Sequence, residues 1–224
     1  MEVIFLVVFW QIALDKPISE IKTLVSYFLV AQSVSLIVMA RRTEFGTELR
    51  KAIKYGTINI YLVRPIRIIP YLYANTVGNQ GLSLVLSIIL IVVSMFISPP
   101  SNALNIVAFL FSTLIAVGIA LSFNLVEGIF AFRITETGPV AGSIRRIIEV
   151  FSGAIAPLSF FPDSVTNILK FTPFPAMVYG PVTSLEFGFD FLQLGVGLFW
   201  MIILNLLTFK LWHMAIKHYE AIGM

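Results

Sequence analysis

Long apolar runs alternate with shorter polar segments along this chain. Residues 83–97 and 106–117 contain no charged side chain, and their apolar positions follow one another without a two-residue alternation. Continuous runs of this kind are typical of membrane-spanning helices, whereas strands of outer-membrane barrels alternate apolar and polar positions. Because lipid offers no partners to free backbone groups, each run is predicted to be helical.

Six such runs predict an all-α, polytopic membrane protein with one transmembrane domain over residues 1–224. The predicted spans are about 1–14, 21–40, 73–97, 104–130, 147–161 and 189–212. The first is short for a bilayer crossing of about 20 residues. We therefore expect a tilted first helix or a truncated start.

Composition agrees with this pattern. Hydrophobic residues make up 58% of the chain and charged residues 12%. A soluble domain has about twice that charged fraction. The chain has no cysteine, which excludes disulfides and cysteine-based metal sites or nucleophiles.

The positive charges are unevenly distributed between the two predicted sides. Segments 41–72, 132–146 and 213–224 together contain eleven Lys and Arg residues, whereas 15–20, 98–103 and 162–188 contain only Lys16 and Lys170, with Lys22 at the border. Basic loops stay on the cytoplasmic side. The first set of segments, including both termini, is predicted to be cytoplasmic.

The basic loop 41–72 is too patterned for a simple connector. Thr43 is predicted to cap a new helix, with acidic residues early and basic residues late, as suits the helix dipole. Gly56 and Pro65 are expected to redirect the chain. Two interpretations remain open: an amphipathic helix on anionic headgroups, or a docking surface for another cytoplasmic protein.

A second unusual segment, 153–181, is rich in proline and too apolar for an ordinary external loop. Pro157 interrupts span five and Pro162 ends it. We expect short helices that dip back into the outer leaflet over 162–188 before the last span. An interfacial loop anchored by Phe and Tyr is the alternative.

Polar residues inside the predicted spans are few. Asn124 and Glu127 lie in span four, and Glu149 begins span five beside Arg145 and Arg146. Such groups are costly in a membrane and usually face the bundle or water. Glu127 is a candidate proton site, although a carboxylate near the interface more often pairs with an arginine.

No phosphate-binding loop occurs, since the chain contains no Gly-Lys dipeptide. No G-x-S-x-G, H-E-x-x-H or G-x-G-x-x-G motif occurs either, so we predict a non-enzymatic chain with no cofactor or metal. Energy for transport would come from another polypeptide or from an ion gradient.

The sequence resembles the membrane subunits of type-2 ABC transporters, and within them a bacterial group of permease components. The resemblance rests on Gly56-Thr57-Ile58 followed by Leu62-Val63-Arg64-Pro65, on Ser152-Gly153 with Pro157 and Phe160-Phe161-Pro162, and on Pro173-Phe174. The motifs are degenerate, and their order over residues 20–215 is more specific than any one of them. Family members usually begin with an interfacial helix and a full first span, which this chain lacks.

The resemblance implies a coupling helix in loop 41–72 that seats in a separate cytoplasmic ABC ATPase subunit. Its interface residues would be Glu44, Glu48, Lys51, Tyr55, Gly56, Ile58, Tyr61, Arg64 and Pro65. The resemblance also implies an outer gate of re-entrant helices, formed by Gly153, Pro157, Phe160, Phe161, Pro162, Pro173 and Phe174.

These features together predict a permease subunit of an ATP-driven exporter of a hydrophobic or amphipathic substrate. It would reside in the bacterial plasma (inner) membrane as a homodimer or with a sister permease, among membrane lipids and without nucleic acid. The alternative is a proton-coupled secondary transporter that uses Glu127, although no inverted repeat with paired broken helices is visible.

Overall fold

The computed structural model describes residues 2–13, 21–63, 68–130 and 138–217. Within these ranges it describes the backbone alone at 2, 40–47, 54, 61–63, 72, 73, 76, 77 and 138–141. The described residues form helices with short turns between some of them, and no strand occurs among these residues. The helices are α1 (Glu2–Ala13), α2 (Ile21–Lys54), α3 (Ile58–Val63), α4 (Ile68–Asn79), α5 (Gly81–Ile97), α6 (Ala103–Phe130), α7 (Gly138–Phe151), α8 (Asp163–Leu169), α9 (Tyr179–Phe187) and α10 (Phe191–Lys217).

Three of these helices have segments long and apolar enough to cross a membrane: 21–39 of α2, all of α6 and all of α10. Helices α1 and α5 are apolar but shorter. The all-helical membrane fold predicted from sequence is therefore confirmed, while the count of six spans stays a prediction.

Helix α2 is the central element of the bundle, and it packs against α1, α4, α5, α6 and α9. Its side chains Phe28, Val34 and Val38 are almost completely buried, together with Ile119 of α6. Large apolar side chains on the outer faces of α5, α6 and α10 remain exposed, as expected for helices that contact lipid.

The prediction that Thr43 caps a new helix is wrong, because α2 continues without a break from Ile21 to Lys54. The change from apolar to charged residues at Arg41, Arg42 and Glu44 is the reason for that prediction, but charged residues are compatible with a helix. The first break comes at Gly56, whose φ of 68° is in the left-handed region.

The segment predicted as span five, 147–161, is not one helix. Helix α7 ends at Phe151, and Gly153 follows with a φ of 91°. A 3₁₀ turn over Leu158–Phe160 then leads to α8, and a second 3₁₀ turn over Pro175–Met177 precedes α9. The proline-rich sequence thus gives four short pieces of helix rather than a long one.

Helices α2 and α5 are joined by two pairs of serines, which we call the serine rungs. The Ser26 and Ser94 hydroxyl oxygens are 2.7 Å apart, and so are those of Ser33 and Ser87. All four side chains are buried. Members of each helix are seven residues apart, which returns them to the same face after two turns. Small hydroxyl residues of this kind let helices approach closely and bond in a membrane.

Candidate functional site

The predicted coupling residues lie at one end of the bundle, and the predicted gate residues lie on a segment that reaches inward from the opposite end. We call the first the Lys51 end, where α2 finishes and α3 begins, and the second the Asn105 end, where α6 begins. Helix α2 extends about 50 Å, from its 34 residues, and so connects the two.

The Lys51 end rests on a small apolar cluster beneath its surface. Its members come from α2, α3, α4, α6 and α10: Leu49, Ala52, Ile53, Ile58, Ile68, Leu125 and Trp212. Five helices therefore meet in one apolar cluster beneath this end of the bundle.

Among the exposed side chains on this end are Glu48, Lys51, Tyr55 and Ile60, which we name the coupling surface after the role predicted for this segment. Lys51 forms an ion pair of 3.2 Å with Glu48 one turn earlier. Tyr55 is 72% exposed and Ile60 53% exposed, which leaves an aromatic and an aliphatic anchor beside a charged pair. Interfaces commonly have such anchors at their centre.

The other predicted coupling residues are placed differently. Ile58 has no exposed surface and belongs to the apolar cluster, so it supports the coupling surface from beneath. Gly56 provides the turn between α2 and α3. Arg64 and Pro65, and the side chains of Glu44 and Tyr61, lie outside the described residues.

The predicted outer-gate residues lie between α7 and α10 on residues 152–190, which we call the penetrating segment. At one end, the Asn105 amide of α6 donates to the carbonyl oxygens of Leu185 and Glu186. At the other, the Phe174 ring stacks 6.3 Å from Phe123 of the same helix. Residues 105 and 123 are about 27 Å apart along α6. The segment before α10 therefore reaches far between the helices.

Aromatic rings collect around the deepest point of this segment. Phe151, the last residue of α7, lies 6.3 Å from both Phe161 and Phe174, measured between ring centroids. Phe160 contacts Trp10 of α1 at 5.1 Å. The predicted gate residues thus contact α1, α6 and α7, and backbone that re-enters a membrane would need such packing within protein.

Prolines and one threonine order the turns of this segment. Pro157 and Pro162 precede the first 3₁₀ turn and α8, respectively. The Thr166 hydroxyl lies within 3.2–3.4 Å of the carbonyl oxygens of Leu158, Phe161 and Pro162. Pro173 lies in the turn that leads to Phe174.

Hydrogen bonds from two other helices fix the backbone at Ser152 and Gly153, just after the end of α7. The Tyr27 hydroxyl of α2 donates to the Gly153 carbonyl oxygen at 2.8 Å, and the Tyr179 backbone N–H of α9 donates to the Ser152 carbonyl oxygen, also at 2.8 Å. A Cβ on Gly153 would lie 2.8 Å from the Tyr27 hydroxyl and 2.9 Å from the Tyr179 Cβ. Only glycine fits this position.

The polar residues of the predicted spans differ in their surroundings. Glu149 forms ion pairs with Arg145 at 2.7 Å and with Arg146 at 3.4 Å on the surface of α7. Asn124 is fully buried, and neither amide atom has a hydrogen-bond partner among the described residues. Glu127, nearly one turn later on α6, has an interaction partner.

A cleft of about 690 Å³ opens between α8, α9 and the start of α10. Sequence reasoning missed it, since none of its charged members lies in a recognisable motif. Its walls include Lys170, Tyr179, Thr183 and Asp190, and aromatic side chains flank its mouth. No group of three or more potential metal ligands occurs among the described residues.

Comparison with known proteins gives one match. Residues 5–223 match the family model described as ABC-2 family transporter protein. No curated protein and no solved structure matches the chain. The match extends across both the Lys51 end and the segment that penetrates the bundle.

Proposed function

The chain belongs to the ABC-2 family of transporter proteins and is thus a permease subunit of an ABC transporter. We propose that it forms part of an exporter, and that a separate ATPase drives this exporter by binding at the coupling surface. The substrate would be hydrophobic or amphipathic. Two six-span subunits, identical or sister permeases, would enclose the pathway.

The observation that carries this proposal is the continuity of α2. One uninterrupted helix extends from the apolar cluster under the coupling surface to Tyr27, whose hydroxyl donates to the Gly153 carbonyl oxygen. No proline occurs within Ile21–Lys54. A push on the Lys51 end would therefore move the contact at Gly153, since a helix does not bend sharply without a specific cause.

Charge supports the orientation in this proposal. The Lys51 end lies within the most basic segment of the chain, 41–72, and basic segments between spans remain cytoplasmic. The Lys51 end would therefore face the cytoplasm of a bacterial cell, with both termini, and the Asn105 end would face outward. In this orientation the penetrating segment closes the outer end of the pathway.

The test is co-purification with the partner ATPase after expression of both proteins. Ile60→Asp and Tyr55→Asp place a charge on exposed positions of the coupling surface, so each should abolish or strongly reduce ATPase recovery. Ile168→Asp is the matched control, because Ile168 is 71% exposed on a short helix at the Asn105 end.

Recovery of the ATPase with the control but not with Ile60→Asp supports the proposal. Undiminished recovery with both coupling-surface variants would place the ATPase elsewhere. Thermal unfolding of each variant in detergent separates lost docking from lost folding.

A further inference from the structure

The cleft between α8, α9 and α10 has the size and the walls of a ligand site. Its volume of about 690 Å³ lies in the range of small-molecule pockets. Leu158, Pro175, Phe187, Phe191 and Leu192 supply apolar surface along it. Such a mixture of apolar walls and few polar groups suits an amphiphile rather than a fully polar solute.

Lys170 is the cationic side chain of this cleft, and no carboxylate neutralises it within the described part of the chain. Its ammonium contacts the Asn167 side-chain oxygen at 3.4 Å. An ammonium has three donors, so donors remain for an incoming acid. A carboxylate or phosphate would form a charge-assisted hydrogen bond there.

The acidic side chain of the cleft is already engaged. Asp190 caps α10, and one of its carboxylate oxygens accepts from the backbone N–H groups of Leu192 at 3.1 Å and Gln193 at 3.2 Å. Asp190 therefore has a structural role at the mouth of the cleft.

The two charged side chains of the cleft are both exposed and lie beside different turns of α10. The Trp200 indole N–H donates to the Phe171 carbonyl oxygen at 2.7 Å, which fixes the chain beside Lys170. Ten residues separate Asp190 from Trp200, or about 15 Å along α10.

The two threonines of the cleft do not compete with Lys170 as donors. The Thr166 hydroxyl donates to backbone carbonyl oxygens near Leu158, and the Thr183 hydroxyl to that of Tyr179 at 2.9 Å. Each threonine therefore offers an acceptor to a ligand. Lys170 supplies the positive charge for an acidic group, and the Gln193 side-chain nitrogen, buried without a partner among the described residues, is a further donor in the lining.

We propose that this cleft binds a single-chain amphiphile by its acidic group, a carboxylate or a phosphate, which Lys170 holds while the apolar chain lies along Phe187 and Phe191. This inference rests on the proposed function in one respect, namely that the cleft faces the outside of the cell. It names an acidic amphiphile as the class of molecule that the outer segment receives.

The test uses the purified full chain in neutral detergent, without ATPase or nucleotide, so that failure of ATPase docking does not affect it. A photoactivatable palmitic acid analogue is compared with the matching fatty alcohol, and labelled peptides are mapped by mass spectrometry. We expect the acid to label residues 158–193 more strongly than the alcohol.

Lys170→Gln should weaken acid labelling of this segment roughly tenfold, to the level of the alcohol. Lys22→Gln is the control, because Lys22 is also an exposed lysine predicted to lie near the outer side, and it should change nothing. Asp190→Asn should also retain binding, since asparagine can cap a helix.

Competition then separates the two sources of the acid. If only unlabelled palmitate competes, the cleft recognises a carboxylate. If only lysophosphatidate competes, it recognises a phosphate. If both compete, it recognises the acidic chemistry that they share. Equal labelling by acid and alcohol in the unmodified chain, or unchanged acid labelling in Lys170→Gln, would overturn the proposal.

Discussion

The Tyr27 hydroxyl donates a 2.8 Å hydrogen bond to the Gly153 carbonyl oxygen, and both residues are buried. The bond joins α2 to the point where the chain leaves α7 and enters the penetrating segment. About 40 Å of uninterrupted helix separates Tyr27 from Lys54. The same helix therefore contacts the proposed ATPase site and the proposed gate.

Tyr27→Phe should destabilise the chain by about 1 kcal/mol, because it removes this bond and leaves a buried carbonyl oxygen without that donor. The measurement is thermal unfolding of the purified chain in detergent. An unfolding midpoint equal to that of the unmodified chain would show that the bond does not contribute to stability.

Gly153→Ala should destabilise the chain more, by about 2 kcal/mol or more. Alanine is strained at a φ of 91°, and its Cβ would collide with Tyr27 and Tyr179. Unfolding in detergent again provides the measurement.

Gly195→Ala is the control for that substitution. Gly195 lies in α10, and a Cβ there would meet no atom within 4 Å. Alanine should be neutral or stabilise by up to about 1 kcal/mol. Equal losses at Gly153 and Gly195 would contradict the special role assigned to Gly153.

The serine rungs should show pairwise coupling. In a double-mutant cycle, Ser33→Ala and Ser87→Ala should couple by about 0.6 kcal/mol and by no more than about 1.7 kcal/mol, as hydrogen bonds between membrane helices do. Ser33→Ala combined with Ser94→Ala should be additive, because these residues belong to different rungs. Coupling in the mismatched pair would show that the rungs do not act separately.

Glu186 should make stability depend on pH. Burial raises the pKa of its carboxyl above the ordinary value of 4.5, and one of its oxygens is buried without a partner among the described residues. Below pH 4.5 the carboxyl is protonated in both the folded and unfolded states. As the pH rises towards the folded-state pKa, the unfolded chain loses this proton first, so the folded state loses stability.

Glu186→Gln removes this proton equilibrium. Its free energy of unfolding should exceed that of the unmodified chain by an amount that increases as the pH rises above 4.5 towards the raised pKa of the folded state. A constant difference between the two chains over that range would show that Glu186 does not titrate differently in the folded state.

The sequence predicted the helical membrane fold because continuous apolar runs leave the backbone no alternative in lipid. It could not show where α2 ends. Charges at Arg41 and Arg42 indicate a change of solvent, whereas a helix ends where the backbone must turn, at Gly56.

Contacts between distant parts of the chain were less predictable. The serine rungs had a signal, since Ser26 and Ser33 have the same seven-residue spacing as Ser87 and Ser94. The bond from Tyr27 to Gly153 had none, because it joins residues 126 positions apart. The cleft around Lys170 depends on how far the segment before α10 penetrates, which its composition does not specify.

Transmission of force from a cytoplasmic ATPase requires that the Lys51 end of the bundle faces the cytoplasm. The chain has no cysteine, so Lys51→Cys and Ser164→Cys each introduce a unique thiol at an exposed position of opposite ends. The measurement is labelling of intact cells with a membrane-impermeant maleimide. We predict that Ser164→Cys reacts and that Lys51→Cys reacts only after the cells are opened; reaction of Lys51→Cys in intact cells would contradict the account.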